Sequence, residues 1–407
     1  MKQSRPIFST GLLRKLASIA VVVMFMLSCA SPEKPFDADK TLDYCNIQVE
    51  RALSEIGDAD RMPRNILNNG KSWNLVPVSL VDWTIGFWPG ILWYDYEKTR
   101  NEAVRRAAVH YTELLQPLTT LPAYDHDLGF QIFCSYGNAY RLTGDSRYKQ
   151  IILNAADTLA TLFNPNVGTI LSWPREVEPR NWPHNTIIDN MINLEMLFWA
   201  AKNGGNKGLF NIAVTHAETT MQHQFRDDGG CYHVVVYDSI NGHVMQQVTH
   251  QGYADSTLWA RGQAWAIYGF TMVYRETKDT KFLRFAEKIS DLFLSRLNHN
   301  EYVPYWDFDA PNIPNEPKDA SAAAIVASAL LELSQLTDNA EKAAIYKQTA
   351  IKTLEELSSD DFQSRDKNVA FLSRVTGHYP NGSEIEASIV YADYYYIEAL
   401  TRLKNLQ

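Results

Sequence analysis

The chain is short of cysteine, of positive charge and of nucleotide-binding motifs, and each shortage excludes a class of protein. Only 4 cysteines occur in 407 residues, at uneven spacings that make neither a disulfide framework nor a zinc pattern. Lys and Arg number 38 against 47 Asp and Glu, for a net charge of −9, whereas a nucleic-acid-binding protein is expected to be basic. No phosphate-binding glycine loop and no Gly-x-Ser-x-Gly nucleophile motif is present. We therefore expect no nucleic-acid partner, no cofactor and no metal.

The N-terminus carries an apolar run that predicts an export signal. Four basic residues precede the apolar residues 16–27, a stretch too short to span a bilayer comfortably. It ends at Leu27-Ser28-Cys29, which resembles a bacterial lipoprotein signal in which Cys29 is lipidated and becomes the mature N-terminus. An ordinary cleaved signal with a chance cysteine is the alternative. We predict a signal over 1–28, a tether over 29–37, and an exported, periplasm-facing lipoprotein that meets the membrane only through its lipid.

Amphipathic and more apolar segments alternate along the rest of the chain, and this rhythm predicts the fold. The amphipathic segments lie at about 38–56, 101–116, 146–162, 207–224, 280–297 and 340–358. The apolar segments lie at about 86–98, 129–142, 187–202, 257–276, 319–335 and 385–403. Six helix pairs with an internal repeat are typical of a helical toroid. We predict an all-α (α/α)6 barrel with the apolar helices inside, as one domain over 38–407; a two-domain helical solenoid is the alternative.

The long links from outer to inner helices hold most of the unusual residues. All six open at the N-terminal ends of the inner helices, and long loops in compact domains are usually functional. They are rich in Trp, His and Asp, and the whole chain contains 10 Trp and 21 Tyr, whose flat apolar faces suit sugar rings. The sequence therefore predicts a small-molecule cleft at one end of the barrel.

Two aspartates occupy equivalent places in this scheme. Asp189 lies in the first turn of the most apolar predicted helix, residues 186–201, and Asp127 comes just before the preceding inner helix. Both carboxylates are expected to point into the cleft, where their pKa values can separate and leave one protonated as a general acid. The alternative is a pair of independent helix caps, and Asp125 is a nearby competitor.

The densest motif is Trp259-Ala-Arg-Gly-Gln-Ala-Trp265. Arg261 is the best candidate to hold a substrate carboxylate through two parallel hydrogen bonds, because the acidic chain as a whole would repel an anion. Trp259 and Trp265 offer stacking faces. The alternative for Arg261 is an ion pair with a structural acid between two core tryptophans. Further polar candidates for the cleft are His126, His233 and His250.

Together the motifs resemble the unsaturated glucuronyl hydrolases of glycoside hydrolase family 88. The pieces that carry the resemblance are Trp83-Thr-Ile-Gly-Phe-Trp-Pro-Gly90, His126-Asp-Leu-Gly-Phe130, Ile188-Asp-Asn-Met191, Trp259-Ala-Arg-Gly-Gln-Ala-Trp265 and Asp393-Tyr-Tyr-Tyr-Ile-Glu-Ala399. The resemblance runs from about residue 40 to about residue 404. It implies the same (α/α)6 fold that the helical repeat predicts.

The resemblance also implies hydration of an enol ether rather than attack on an anomeric carbon. The substrate is a disaccharide whose non-reducing uronic acid carries the C4=C5 double bond left by a polysaccharide lyase. Asp189 would protonate C4 and water would add at C5, after which the hemiketal opens and the sugars separate. Asp127 would assist beside it. This reaction is not the ordinary glycosidase mechanism with two catalytic carboxylates. The distance between Asp127 and Asp189 therefore does not predict inversion or retention at the anomeric carbon.

By the same resemblance, substrate or water would be bound by His126, His233, Gln251 and Arg261, between walls of Trp83, Trp259 and Trp265. Residues 378–386 lie where the family varies with sulfation of the second sugar. Ser383 would meet a sulfate, whereas Glu384 and Glu386 would oppose one, so we expect unsulfated or weakly sulfated disaccharides of chondroitin or hyaluronan.

Three other functions are compatible with the same residues. An unsaturated rhamnogalacturonyl hydrolase would act on pectin fragments by related chemistry, although the motif around Arg261 favours family 88. A conventional inverting glycosidase would use Asp127 and Asp189 on saturated substrates. A glycan-binding lipoprotein without catalysis would explain the aromatic residues and the lipid, but it has no need of the aspartate pair. The sequence does not set the oligomeric state.

Overall fold

Helices alternate with links along the whole described chain. The computed structural model describes residues 1–3, 35–57, 59–120 and 122–407. Its long helices are, in chain order, α1 (Ala38–Ile56), α2 (Phe87–Thr99), α3 (Glu102–Glu113), α4 (128–143), α5 (Ser146–Ala160), α6 (Asn190–Lys202), α7 (Gly208–His223), α8 (Ala260–Thr277), α9 (Thr280–Arg296), α10 (Ala320–Leu336), α11 (Ala340–Leu357) and α12 (Val390–Lys404). Within α4, Phe133–Gly137 has π-helical geometry.

The even-numbered helices form an inner ring and the odd-numbered helices an outer ring. Each inner helix packs against the next inner helix, and α12 closes the ring against α2. Outer helices bury one face only, as in α1, where the buried residues recur every three or four positions. Inner helices are buried nearly all round, as in α8 and α10. The predicted all-α (α/α)6 barrel is confirmed.

Residues Ala38–Gln407 form one compact unit, and Met1–Asp37 is assigned to another. Apart from residues 1–3, the predicted signal lies outside the described residues, and so does Cys29. Within the described ranges, no helix is both long and apolar enough to cross a membrane.

Side-chain caps begin several of the outer helices. Asp145 and Asp279 each accept a hydrogen bond from the amide two residues further on, at 2.8 and 3.1 Å. Asn339 caps α11 in the same way at 3.0 Å. These are the turn residues whose chemistry favours a helix start, because a short polar side chain satisfies amides that have no partner within the helix.

Short strands lie in the links rather than in a layer of their own. They are β1 (Arg61–Ile66), β2 (Asn74–Pro77), β3 (Phe163–Asn164), β4 (Thr169–Ile170), β5 (His184–Ile187), β6 (Val234–Tyr237), β7 (Val244–Val248) and β8 (Ser388–Ile389). All pairs are antiparallel, in the orders β2-β1-β8, β3-β4 and β5-β6-β7. The β6–β7 hairpin matches the most strand-like run of the sequence.

The start of α6 differs from the prediction. Thr186 and Ile187 belong to β5 and pair with Val235 and Val234 of β6, so the helix begins only at Asn190. β-Branched residues on both strands favour this pairing. Asp189 therefore stands at a strand-to-helix junction, one residue before the helix, and not inside its first turn.

Candidate active site

A cleft opens at the N-terminal ends of the inner helices, and most of the predicted site residues line it. Its lining consists of Trp83, His126, Asp127, Trp173, Ile187, Asp189, His233, Gln251 and Arg261. The empty volume of the cleft, counted out to its open mouth, is about 370 Å³. Asp127 and Asp189 directly precede α4 and α6, Arg261 lies in the first turn of α8, and Trp83 begins the short turn Trp83–Gly86 that leads into α2. The barrel topology therefore gathers residues from distant parts of the chain.

Asp127 and Asp189 both occupy the N-cap position of an inner helix, yet neither side chain caps its helix. Asp189 has helical backbone angles, φ −56° and ψ −29°, and makes no capping hydrogen bond. Asp127, with φ −66° and ψ −8°, makes none either. True caps elsewhere in the barrel have extended backbone angles. The two carboxylates are thus left to face the cleft, and the helix-cap alternative is excluded.

Burial sets the proton affinity of Asp189. Its side chain is 16% exposed, and Oδ2 has no hydrogen-bond partner. Burial raises the pKa of the carboxyl from 3.8 to about 7, although the Arg261 guanidinium, its own backbone and the Trp265 indole N–H all act to lower it. A carboxyl with this pKa is partly protonated near neutral pH, as a general acid requires.

Asp127 lies in the same low-polarity surroundings, which favour the protonated form of its carboxyl. Burial raises its pKa well above the ordinary value of 3.8, and the charges of Asp125 and Asp189 raise it further. Because the charge of Asp189 acts on Asp127, the two carboxyls belong to one electrostatic site. This is the paired arrangement that their positions on consecutive inner helices predict.

Asp125, the competing carboxylate, is engaged elsewhere. Its Oδ2 accepts a hydrogen bond from Arg175, and its Oδ1 accepts one from the Asp127 amide at 3.0 Å. It does not line the cleft. Asp125 therefore holds the segment that carries Asp127, and Asp127 is the one that faces the cleft.

His233 presents a fixed N–H group towards Asp189. Its Nδ1 accepts hydrogen bonds from the backbone amides of His250 and Gln251, both at 3.1 Å. Burial lowers the pKa of the imidazole well below its usual value, so the ring is neutral and its proton lies on Nε2. Nε2 is 3.7 Å from Asp189 Oδ2. This donor can stabilise the carboxylate that remains after Asp189 gives up its proton.

His126 stands in the same relation to Asp127. Its Nδ1 accepts a hydrogen bond from the side-chain amide of Asn193 at 2.9 Å, and its Nε2 is 3.3 Å from Asp127 Oδ1. Burial lowers the pKa of this imidazole too. Asn193 was missed in the sequence, although an isolated buried amide in so apolar a helix is a signal that could have revealed it.

Arg261 is not free to act as the predicted carboxylate clamp. Nη1 donates to Asp319 Oδ2 at 2.8 Å and to the Thr376 carbonyl at 2.6 Å. Nη2 donates to Gln251 Oε1 at 3.1 Å and to the Gly377 carbonyl at 2.5 Å. Both ends of the guanidinium fork are therefore occupied by protein acceptors. The structure therefore shows the alternative, in which Arg261 forms an ion pair with the buried Asp319. The guanidinium charge nevertheless lies at the edge of the cleft.

The aromatic walls differ from the prediction in two of three cases. Trp83 lines the cleft, but Trp259 and Trp265 do not. Trp259 packs behind His233, with ring centroids 4.4 Å apart, and Trp265 is fully buried. The second wall is Trp173, which the sequence analysis did not assign to the site. Its place in a long Trp-Pro-Arg link was the available signal.

Comparison with known proteins identifies the family. The sequence profile of Glycosyl Hydrolase Family 88 matches residues 58–405. The chain belongs to this family. It is therefore a glycoside hydrolase, and the family resemblance read from its motifs is confirmed.

The family 88 chain is similar to proteins with related names. The unsaturated glucuronyl hydrolase of Formosa agariphila (strain DSM 15362 / KCTC 12365 / LMG 23005 / KMM 3901 / M-2Alg 35-1) is 42% identical over 352 residues, 86% of each chain. An unsaturated chondroitin disaccharide hydrolase of Streptococcus pneumoniae (strain ATCC BAA-255 / R6) is 30% identical, over 81% of this chain and 84% of that protein. The crystal structure of an unsaturated glucuronyl hydrolase specific for heparin superposes with a TM-score of 0.85 at 40% identity, covering 91% of this chain and 97% of that one.

The segment 378–386 of this family 88 chain lies beyond the residues that line the cleft. Ser383 is exposed. Glu384 is paired with Arg64, and Glu386 lies 3.3 Å from the Nε of Arg374. Each of the two glutamates predicted to oppose a sulfate therefore has a cationic partner. In the described ranges, no cluster of His, Cys, Asp or Glu has the arrangement of a metal site.

Proposed function

We propose that this family 88 enzyme hydrates the C4=C5 enol ether of unsaturated glycosaminoglycan disaccharides, releasing an amino sugar and a keto-uronic acid that no longer carries the double bond. The observation that carries the proposal is the state of Asp189. It is a buried carboxyl with a pKa of about 7 that caps nothing and faces the cleft. The names of the relatives, which act on unsaturated glucuronides, support the same chemistry.

In the proposed reaction Asp189 transfers its proton to C4, and positive charge develops at C5, shared with the ring oxygen. Water adds at C5, and its released proton returns to Asp189. The resulting hemiketal opens at the bond between C5 and the ring oxygen, which leaves a hemiacetal at C1. Collapse of this hemiacetal to the aldehyde releases the second sugar. While Asp189 is ionised, the His233 Nε2–H and the Arg261 charge stabilise it.

Asp127 assists in its neutral form. A second ionised carboxylate in so small a cleft would repel the charge left on Asp189, and burial prevents this by keeping Asp127 protonated. The protonated carboxyl can donate a hydrogen bond to substrate or water. Trp83 and Trp173 would pack on the two sides of the sugar.

For the second sugar we propose an unsulfated or weakly sulfated residue of the chondroitin or hyaluronan type. Segment 378–386 contains no Lys or Arg, and the two arginines near it already bind glutamates. A strongly sulfated sugar would therefore find no unpaired cation in this segment. Turnover of unsulfated and sulfated chondroitin, hyaluronan, heparin and pectin-derived disaccharides tests this directly. A strict requirement for sulfate, or turnover of pectin fragments alone, would contradict it.

The first experiment follows the ultraviolet absorbance of an unsaturated chondroitin disaccharide. The C4=C5 chromophore should disappear with the wild type, and Asp189→Asn should slow its loss by roughly a thousandfold or more, as expected when a catalytic acid is removed. Asp279→Asn, at the exposed cap of α9, is the matched control and should retain wild-type turnover.

Two outcomes would favour other functions. If the wild type leaves every unsaturated disaccharide intact but still binds it, the non-catalytic glycan-binding protein is the better hypothesis. If it releases reducing sugar from saturated glycans instead, a conventional inverting glycosidase using Asp127 and Asp189 is favoured.

We also propose that the enzyme is exported and held at the membrane, facing the periplasm, by a lipid on Cys29. The basic start, the short apolar run and the cysteine that follows it support this. An anchored enzyme at this location would meet disaccharides where secreted lyases release them.

A further inference from the structure

Asp319 is a fully buried carboxylate that the proposed reaction does not use. It is the N-cap residue of α10, where Oδ1 accepts hydrogen bonds from the Ser321 amide at 3.1 Å and from the Ser321 hydroxyl at 2.5 Å. Oδ2 accepts the hydrogen bond from Arg261 Nη1 at 2.8 Å. The cap thus fixes the carboxylate, and the carboxylate in turn fixes one end of the guanidinium.

Arg261 joins two segments at the mouth of the cleft. One is the segment that carries Gln251, and its backbone amides also orient His233. The other is residues 376–377, whose two carbonyls accept from Nη1 and Nη2. The guanidinium carbon also lies 4.6 Å from the Trp259 ring centroid. A rotation of Arg261 would therefore displace both segments at once.

The Asp319–Arg261 pair also controls how much positive charge reaches Asp189. The guanidinium charge favours the ionised form of Asp189, and a buried carboxylate 2.8 Å away offsets much of that field. The other titratable groups that face Asp189 or Arg261 are Asp127, Cys231, His233, His378 and Tyr391. Burial keeps the pKa of each histidine low and the pKa values of Cys231 and Tyr391 high, so none of these four offsets the arginine near neutral pH.

We propose that Asp319 is a positioning residue of the active site: it orients Arg261 and offsets its charge, so that Arg261 holds both mouth segments without driving Asp189 into its ionised form. Asp319 touches no substrate and acts only through Arg261. The inference rests on the proposed role of Asp189 as the acid.

The test compares pH profiles of kcat/KM for the wild type and Asp319→Asn. Asparagine keeps the size and one acceptor but removes the charge. Asp189 should then lose its proton at lower pH, so the alkaline limb of the profile should move down by about one pH unit, the effect of roughly 1.4 kcal/mol. A limb that stays at its wild-type position in the folded variant would overturn the proposal.

Asp393→Asn is the matched control. Asp393 is also buried on an inner helix and accepts two backbone amides, at 2.8 and 3.0 Å, but its bonding partners do not include Arg261. Only Asp319→Asn is expected to move the alkaline limb. Equal movement in both would show a merely structural effect and contradict the proposal.

Asp319→Glu and Ser321→Ala separate orientation from charge. Each keeps the negative charge, so each should keep the alkaline limb in place while KM rises roughly threefold or more, the change expected for one impaired hydrogen bond. Ser321→Ala also serves if Asp319→Asn does not fold. An unchanged KM in folded Ser321→Ala would then count against the positioning role.

A titration without substrate distinguishes failure of this inference from failure of the proposed function. Melting temperatures are measured across pH 4–9 with and without Asp189→Asn, in the wild-type and Asp319→Asn backgrounds. The difference due to Asp189 should level off at lower pH, and at a smaller value, when Asp319 is neutral, because only the folded-state pKa falls. An identical plateau in both backgrounds would overturn the inference. A wild type that consumes no chromophore would contradict only the proposed function.

Discussion

Aspartate has three different roles at the starts of helices in this barrel. Asp145 and Asp279 are exposed caps. Asp319 is a cap that also binds Arg261. Asp189 occupies the cap position without capping, and burial therefore raises its pKa with little compensation. All four aspartates stand at a helix start, so the chemistry of each carboxyl depends on what surrounds it.

Asp189→Asn is expected to stabilise the protein above neutral pH. The carboxyl ionises near 3.8 when unfolded, but its pKa is about 7 in the folded state. The folded state therefore holds the proton more tightly, and the stability due to this group is lost as pH rises through 7. At about 1.4 kcal/mol per pKa unit, the loss at pH 8 is at most about 4 kcal/mol.

Thermal unfolding across pH checks this prediction. The variant should melt above the wild type at pH 8, with the difference shrinking towards pH 4. Asp279→Asn, whose carboxyl has a pKa lowered by Lys281, should show no gain at pH 8. A wild type that is as stable as Asp189→Asn at pH 8 would contradict the burial argument.

Trp173→Ala is expected to weaken substrate binding as well as the fold. Trp173 lines the cleft and packs in a small core with Trp182, Ile187 and Val234. Loss of one stacking face should raise KM roughly fivefold, since an aromatic contact contributes about 1 kcal/mol beyond its burial. Trp182→Ala removes a buried tryptophan from the same core without touching the cleft. It should lower the melting temperature and leave KM nearly unchanged; a KM rise of equal size would deny Trp173 a specific role.

At the scale of elements, the junction between β5 and α6 positions the acid. The chain leaves the β5–β6 ladder at Ile187 and enters the helix at Asn190. The Ile188 amide still donates to the His233 carbonyl at 3.0 Å, so the residues on either side of Asp189 are tied down. The same contact brings the His233 segment beside Asp189. A helix running from Thr186, as predicted, would have lacked this second support.

The packing of α4 on α6 carries a testable consequence at Gly129. A Cβ there would lie 2.3 Å from Asn193 Oδ1, and Asn193 is the residue that orients His126. Gly129→Ala should therefore destabilise the protein by about 1–3 kcal/mol and reduce kcat. Gly208→Ala, at the exposed start of α7, should instead be neutral or stabilising by up to about 1 kcal/mol. Denaturant unfolding and turnover of both variants check the contrast; equal effects would rule out a packing clash.

For the whole molecule, the ring brings the N-terminal ends of all six inner helices to one end of the barrel. Those ends carry positive partial charge from the helix dipoles. An acidic chain, with a net charge of −9, can thus hold an anionic sugar at one end while its general surface remains negative. The cleft lies at that end because every long link opens there.

The predicted organisation of the whole chain is tested by fractionation. In a bacterial host, the full-length protein should be found with membranes, and Cys29→Ala should shift it to the soluble fraction because the lipid has no attachment point. Cys45→Ala, which changes a buried cysteine of α1, should leave the distribution unchanged. Residues 38–407 alone should fold and retain turnover. Cys29→Ala protein that remains with membranes would exclude the lipid anchor.

The sequence by itself determined the barrel and the positions of its two carboxylates. Helix bounds matched to within a few residues in most cases, because amphipathic periodicity and cap chemistry are local properties. The motifs around Asp127, Asp189 and Arg261 were enough to identify the family. The main local error, the start of α6, arose because β5 forms only by pairing with β6 about 50 residues away.

Only the tertiary structure decided which side chains are free to act. Arg261 meets its carbonyl acceptors 115 and 116 residues away, and Glu384 meets Arg64 across 320 residues. Such partners leave no trace in local pattern, so the predicted clamp was wrong and the arginine partner of Glu384 was not foreseen. Likewise the second wall of the cleft is formed by Trp173, and not by Trp259 or Trp265. How deep a tryptophan lies in the barrel decides whether its ring reaches the cleft, and a dense sequence motif does not show that depth. The pKa of Asp189 follows from that same depth, since burial is a property of the assembled fold.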